Sequence, residues 1–207
     1  PGATVGKAPR PYADTRCCAA PNGKQTPGIF KIWKQSMPER AMACAFNLEY
    51  LLVGGRDART EDNPYFMWYD WMAGGWGGRS SKDGSNATAP VFGVGLAVQA
   101  CEGQERLTPV LTTMHQIGTD SGGPGRFRGG CGVEKGGTLT DADASVMSYC
   151  CDRARSITWG IEGGLPSIPH GVWLNRDTED ERFLGSVFSS VPVQPGEQVG
   201  VDSVEAK

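Results

Sequence analysis

Glycine marks the places where this chain makes unusual backbone. Its 30 glycines among 207 residues gather at 74–78, 122–132, 136–137 and 160–164, with no collagen period. A residue without a Cβ lets two backbones meet and reaches dihedral angles closed to other residues. The clusters therefore read as special backbone segments of a packed domain and not as spacer.

Composition supports such a domain, because 39% hydrophobic residues can build a core. The charges balance to -3, with 20 Lys+Arg interleaved among 23 Asp+Glu. That leaves no basic stripe for nucleic acid or for an acidic membrane surface. No apolar run reaches the roughly 18 residues of a membrane span, so the expectation is no nucleic acid and no membrane. The opening PGATVGKAPRPYADT has neither a methionine nor the order of a signal peptide. Seven cysteines, an odd number with adjacent pairs at Cys17-Cys18 and Cys150-Cys151, do not read as a disulfide framework. A cytoplasmic, reduced protein that begins inside a longer gene product is expected. His115 and His170 are the only histidines, so no zinc site made by this chain alone is expected, and no metal ligand is assigned.

Residues 1–24 are proline-rich and read as irregular. Residues 25–64 read as helical, from Ile29, Phe30, Ile32, Trp33 and Met37 near helical spacing, with an interruption at Pro38. Residues 65–200 read as sheet-rich, with strands expected at Val91 to Ala100, Leu107 to His115, Ser145 to Cys151 and Val187 to Val193. The tail VDSVEAK is expected to be loosely ordered. The fold class is mixed α/β of the α+β kind: an early helix, then a glycine-rich, predominantly β second half, in a single region.

Two glycine segments invite catalytic readings. TDSGGP, residues 119–124, is within one residue of the segment that carries the nucleophile of trypsin-like proteases. A serine nucleophile needs a base, and the trypsin chain order puts that histidine well upstream. His115 is six residues before Ser121 and His170 follows it. The preferred reading is a turn in which Asp120 and Ser121 cap backbone amides while the glycines take conformations closed to other residues. AGGWGGRS, residues 73–80, is a near miss for a phosphate-binding P-loop, with Ala73 for the first glycine and Arg79 for the lysine. It reads better as a loop that lets backbone approach another chain or a substrate, anchored by Arg79 and Asp83. Tyr65, Phe66, Trp68, Tyr69, Trp71 and Trp76 read as core or subunit interface ahead of a substrate pocket. Arg126 and Arg128 either bind a carboxylate or phosphate, or pair with Asp120 or Glu134 to fix the loop.

Taken in order, MPERAMA, GGWGGRSSKDG, DSGGPGRFRGGCGV and WGIEGGLPSIPHGVWL resemble the C-terminal part of the hydantoinase B/oxoprolinase-type subunits. The likeness runs from about Val5 to about Val199. It implies a component of large cytoplasmic ATP-dependent complexes that hydrolyse cyclic amides or carboxylate ketones. In both, a partner with an actin-like ATPase fold phosphorylates a carbonyl or enol oxygen, and the B-type subunit acts on the phosphorylated intermediate. The resemblance also implies a divalent metal held by an N-terminal part of the family's chains that this chain lacks. ATP and Mg are implied on the ATPase subunit, and no cofactor is implied on this chain alone. Asp70 and Trp71 stand where the family pattern has a glutamate and a small polar residue. The expectation is a split or cleaved subunit.

Its expected partners are a hydantoinase A-like ATPase subunit, a metal-bearing N-terminal hydantoinase B-like chain and a small-molecule substrate. Arg79, Asp83, Asp120, Ser121, Arg126 and Arg128 are the candidates for an active-site wall or subunit contact. Gly74, Gly75, Gly77, Gly122, Gly123, Gly129 and Gly130 are the glycines of its loops, and no residue is assigned as catalytic. The alternatives are a purely structural assembly subunit and a serine hydrolase using Ser121.

Overall fold

The computed structural model describes residues 29–46, 49–72, 74–88, 98–151 and 157–203. Among them are two helices, α1 (29–36) and α2 (Cys101–Leu107), and nine strands. The strands are β1 (Glu49–Asp57), β2 (Tyr65–Trp71), β3 (Val110–Ile117), β4 (Val133–Leu139), β5 (Ala142–Cys151), β6 (His170–Leu174), β7 (Arg182–Gly185), β8 (Val187–Val193) and β9 (Gln198–Ser203). They form two antiparallel sheets, ordered β2-β1-β5-β8 and β3-β4-β9-β6-β7. The α+β class with an early helix and a β-rich second half is what the structure has.

Register in the first sheet decides which side chains are buried. Val53 lies opposite Trp68 and Met147, while Leu51 lies opposite Asp70 and Tyr149, and all six point inward. Because strand side chains alternate faces, Leu52, Tyr65, Met67, Tyr69 and Val146 fall on the outer face and are exposed. From the second sheet, Val110, Leu139, Val172, Leu174, Val199 and Val201 join the inner residues of the first in one core.

One charged pair sits within this apolar layer. Lys135 of β4 meets Asp70 of β2, both buried, and Asp70 also accepts from the Trp68 indole at 3.3 Å. A buried ion pair spends on desolvation most of what it gains by attraction. Its effect here is to join one inner position of each sheet.

Several expectations are corrected. Among its described residues, the stretch 25–64, expected helical, has a helix at 29–36 and contains the nine-residue strand β1. The outer face of β1 is itself partly apolar, through Tyr50 and Leu52, which hides the alternation of the strand in the sequence. Leu107, expected to start a strand, ends α2, and β3 begins at Val110. Of Val91 to Ala100, residues 91–97 lie outside the described residues and 98–100 have no regular structure. Residues 201–203 of the tail belong to β9, and 204–207 lie outside the described residues. Ser145 to Cys151 falls within β5, and Val187 to Val193 is β8.

Candidate functional site

The loop after β2 and the loop between β3 and β4 are laid against each other, backbone to backbone. Gly130 N–H donates to the Trp76 carbonyl at 2.8 Å, Gly84 N–H to Arg128 at 2.9 Å, and Ala87 N–H to Cys131 at 2.9 Å. The strip 41–46 closes a second side, with Ala43 N–H donating to Gly78 and Phe46 N–H to Gly75. Such contact leaves no room for a side chain. A Cβ on Gly75 would stand 1.7 Å from the Gly130 carbonyl oxygen, and one on Gly130 would stand 2.0 Å from that of Ser85. Beneath the loops lies a small second core of Phe30, Met42 and Ala45, with Trp76 and Trp159 against it.

The glycines here thus serve space and not dihedral freedom, which corrects the expectation for the turn. The described glycines with positive φ are Gly163, Gly185 and Gly196, all outside these two loops. In the DSGG turn the left-handed residue is Asp120, with φ of 53°. Its carboxylate accepts from the Arg128 side chain at 2.9 Å. Ser121 fastens the turn, since its hydroxyl donates to the Gly118 carbonyl and accepts from Gly132 N–H, both at 2.9 Å. Asp83 of the first loop accepts from Arg128 N–H at 2.9 Å, so this exposed trio ties loop to loop. The Asp120 hydrogen bond holds the Arg128 guanidinium above its ordinary pKa.

Arg79 and Arg126 stand apart from that trio. They come from different loops and line one cleft of about 610 Å³, along with Pro124, Phe127, Trp159 and Leu165. Neither has an ion pair among the described residues. The Arg126 guanidinium lies 5.6 Å from the centre of the Phe127 ring. A planar, permanently charged fork in such a setting is suited to a carboxylate or phosphate.

A smaller cavity, about 90 Å³, lies on the other side of a shared wall that includes Gly123, Gly129 and Thr158. It is lined by Ser121, Gly75 and Gly130, and also by Glu49 and His170. Glu49 was not among the candidates, and His170 entered them only as a histidine that follows Ser121. The pairing of β1 with β5 sets Glu49 opposite Cys151, and His170 arrives from the first position of β6. Glu49 Oε1 and Cys151 Sγ each stand 2.8 Å from His170 Nε2, and the Tyr149 hydroxyl donates to Glu49 Oε2. Burial opposes charge on His170, but the Glu49 carboxylate outweighs it and raises the histidine pKa. Burial, then the Glu49 charge, pushes the Tyr149 phenol well above its ordinary value. The divalent metal implied by the resemblance was expected outside this chain, yet among the described residues Glu49, Cys151 and His170 form a group able to hold an ion. Local spacing gives no sign of it, because the residues come from three strands: register sets Glu49 opposite Cys151, and the packing of the second sheet on the first brings His170 to them.

No helix among the described residues is long and apolar enough to cross a membrane. None of Cys44, Cys101, Cys131, Cys150 and Cys151 is in a disulfide.

Comparison with known proteins extends this picture. The profile of the family described as hydantoinase B/oxoprolinase matches residues 1–204. The caprolactamase subunit beta of Pseudomonas jessenii is 29% identical over 96% of this chain and 35% of its own length. The crystal structure of the ATP-dependent caprolactamase from that organism superposes with a TM-score of 0.71 at 24% identity, covering 94% of this chain and 34% of that one. The nucleotide-free structure of acetone carboxylase gives a TM-score of 0.67 at 18% identity, over 83% of this chain and 27% of that one. The two structures speak for the fold, and this chain spans about a third or less of the length of these relatives.

Proposed function

The chain belongs to the hydantoinase B/oxoprolinase family, and on that premise we propose that it is part of a multi-chain, ATP-dependent, cytoplasmic enzyme. In this reading an ATPase-type, hydantoinase A-like subunit phosphorylates a carbonyl or enol oxygen of a small substrate. A metal-bearing N-terminal hydantoinase B-like chain completes the site. This chain supplies a wall that receives the phosphorylated intermediate. The reaction is either hydrolysis of a cyclic amide or carboxylation of a ketone.

One observation carries the reading: Arg79 and Arg126 enter a single cleft from two separate loops, with no carboxylate spent on either among the described residues. A phosphorylated intermediate is an anion on a small carbon skeleton. Two guanidiniums would fix its charge, and Phe127, Trp159 and Leu165 would offer apolar surface to the rest. Phosphoryl chemistry of this kind asks the protein mainly for position and charge. The hydroxyl of Ser121 is occupied in its turn by Gly118 and Gly132, which disfavours a nucleophilic role.

A structural role in assembly is supported by a separate feature. The exposed face of the first sheet carries Leu52, Tyr65, Met67, Tyr69 and Val146, apolar side chains of the kind that anchor subunit contacts. The two readings are compatible, since a wall must also be held in place.

The test is to purify the chain with its native companions, identify them, and measure ATP consumption with cyclic amides and, separately, with ketones plus bicarbonate. Co-purification of an ATPase-type chain and substrate-stimulated ATP turnover are expected. A chain that purifies alone, or a complex whose ATP use responds to neither substrate class, contradicts the proposal.

A further inference from the structure

We infer that Glu49, Cys151 and His170 form a binding site for a single divalent transition-metal ion, of which Zn²⁺ is the best match, with its open position on the small cavity beside Ser121. The donor set comes first. A carboxylate oxygen, a thiolate sulfur and an imidazole nitrogen lie within 4.8 Å of one another. Thiolate and imidazole together select zinc-like ions over magnesium or calcium, which prefer oxygen alone.

Hydrogen bonding at His170 Nε2 is crowded. Glu49 Oε1 and Cys151 Sγ both aim at the one atom His170 Nε2, each at 2.8 Å. That nitrogen carries at most one proton, which cannot give two good bonds. A cation among the three satisfies all of them at once. Tetrahedral zinc, with bonds of about 2.0–2.3 Å, sets its donors roughly 3.4–3.6 Å apart. His170 Nε2 would therefore draw back from its two neighbours by well under the width of an atom, through small side-chain rotations.

The surroundings fit an ion as well. Glu49 and Cys151 are 4% and 5% exposed, so a carboxylate and a thiolate joined there by a cation would be shielded from water. The Tyr149 hydroxyl donates to Glu49 Oε2, the oxygen turned away from His170, and so holds the carboxylate with Oε1 toward the other two donors. Metal-binding carboxylates commonly have such a partner. A three-ligand site leaves a fourth position, and Glu49 and His170 line a cavity of about 90 Å³. That space exceeds the roughly 10–15 Å³ that a water needs. The fourth ligand would be a water or a substrate oxygen.

Cobalt offers a direct probe, because a thiolate bound to Co²⁺ gives an intense near-ultraviolet charge-transfer band and a tetrahedral site gives strong visible bands. The full chain, stripped with a chelator, is titrated with Co²⁺ and then with Zn²⁺. One equivalent of Co²⁺ per chain, both sets of bands, and their loss on adding Zn²⁺ are expected. Cys151→Ser should abolish the charge-transfer band, with circular dichroism recorded to establish that the variant is folded. Should that variant unfold, Tyr149→Phe takes its place: the band should persist, with Co²⁺ affinity weakened by about 10–100-fold. The inference is overturned if no saturable band forms. It is equally overturned if the band survives in folded Cys151→Ser, or if Tyr149→Phe leaves the affinity unchanged.

Discussion

In the sheets, Leu51, Val53, Tyr149, Met147 and Leu174 hold the structure by burying large side chains almost completely. In the two glycine loops, Gly75, Gly84 and Gly130 hold it by having none, so that carbonyl oxygens and N–H groups of separate segments meet directly. The sheets gain their stability from area removed from water. The loops gain little area, and fix position through hydrogen bonds whose donors and acceptors would otherwise be orphaned. The difference teaches where tolerance lies. A sheet position can exchange one apolar side chain for another at modest cost, whereas a loop position that faces a carbonyl at under 2 Å accepts no side chain. The two arginines proposed to bind an anion, Arg79 and Arg126, sit on the region built without tolerance.

The sharpest break within the sheets should come from the buried Lys135–Asp70 pair. Lys135→Ala leaves the Asp70 carboxylate buried without its partner, and a loss of about 3–5 kcal/mol in stability is expected in denaturant titrations. Adding Asp70→Asn to that variant should recover part of the loss, since the stranded charge is gone. In the loops, Gly75→Ala sets a Cβ against the Gly130 carbonyl, and a loss of about 3 kcal/mol is expected. Unlike the sheet variant, it should lower turnover of the complex beyond what its stability explains, by moving one loop off the other. Ser121→Ala removes the acceptor of Gly132 N–H and the donor to Gly118. About 1–2 kcal/mol is expected, with turnover retained under conditions where the variant stays folded. Abolished turnover in a folded Ser121→Ala variant would restore the serine hydrolase.

The smallest effect belongs to the C-terminal end of β1. Arg59 donates twice to Asp57, at 2.9 and 2.7 Å, and this hydrogen bonding lowers the Asp57 pKa against the opposing effect of burial. A carboxylate whose folded pKa is depressed contributes stability that is present above its unfolded value and lost as pH falls through the folded one. Asp57→Asn should therefore cost about 1 kcal/mol at neutral pH, and the gap from the parent chain should close as the solution is acidified through the carboxylate range. A gap that widens with acid would contradict the pairing.

How much of this was legible beforehand differs between the same two regions. The glycine loops announced themselves as special backbone, because a cluster such as GGWGGRSSKDG or DSGGPGRFRGG suits unusual dihedral angles or close backbone approach, although for the second loop it was the dihedral angles that were expected. Their residues also carried the family resemblance. What the letters did not reveal was that the loops pack on each other, or that Arg128 joins Asp120 while Arg126 enters the cleft. Sheet positions were harder. β1 and β2 carry apolar or aromatic side chains on both faces, so YFMWYDW shows no alternation even though Phe66, Trp68 and Asp70 are buried and Tyr65, Met67 and Tyr69 are exposed. Glu49, Cys151 and His170 were illegible for a further reason: a register between β1 and β5 and the packing of one sheet on the other place them together, and no local pattern encodes either.

The central claim is that the loops exist to present Arg79 and Arg126 to an anionic intermediate. The most direct measurement is turnover of the assembled complex carrying Arg79→Ala together with Arg126→Ala, with assembly followed in parallel by size-exclusion chromatography. The account predicts normal assembly and loss of most turnover. Turnover that survives in the assembled double variant, or failure of the variant to assemble, would contradict it.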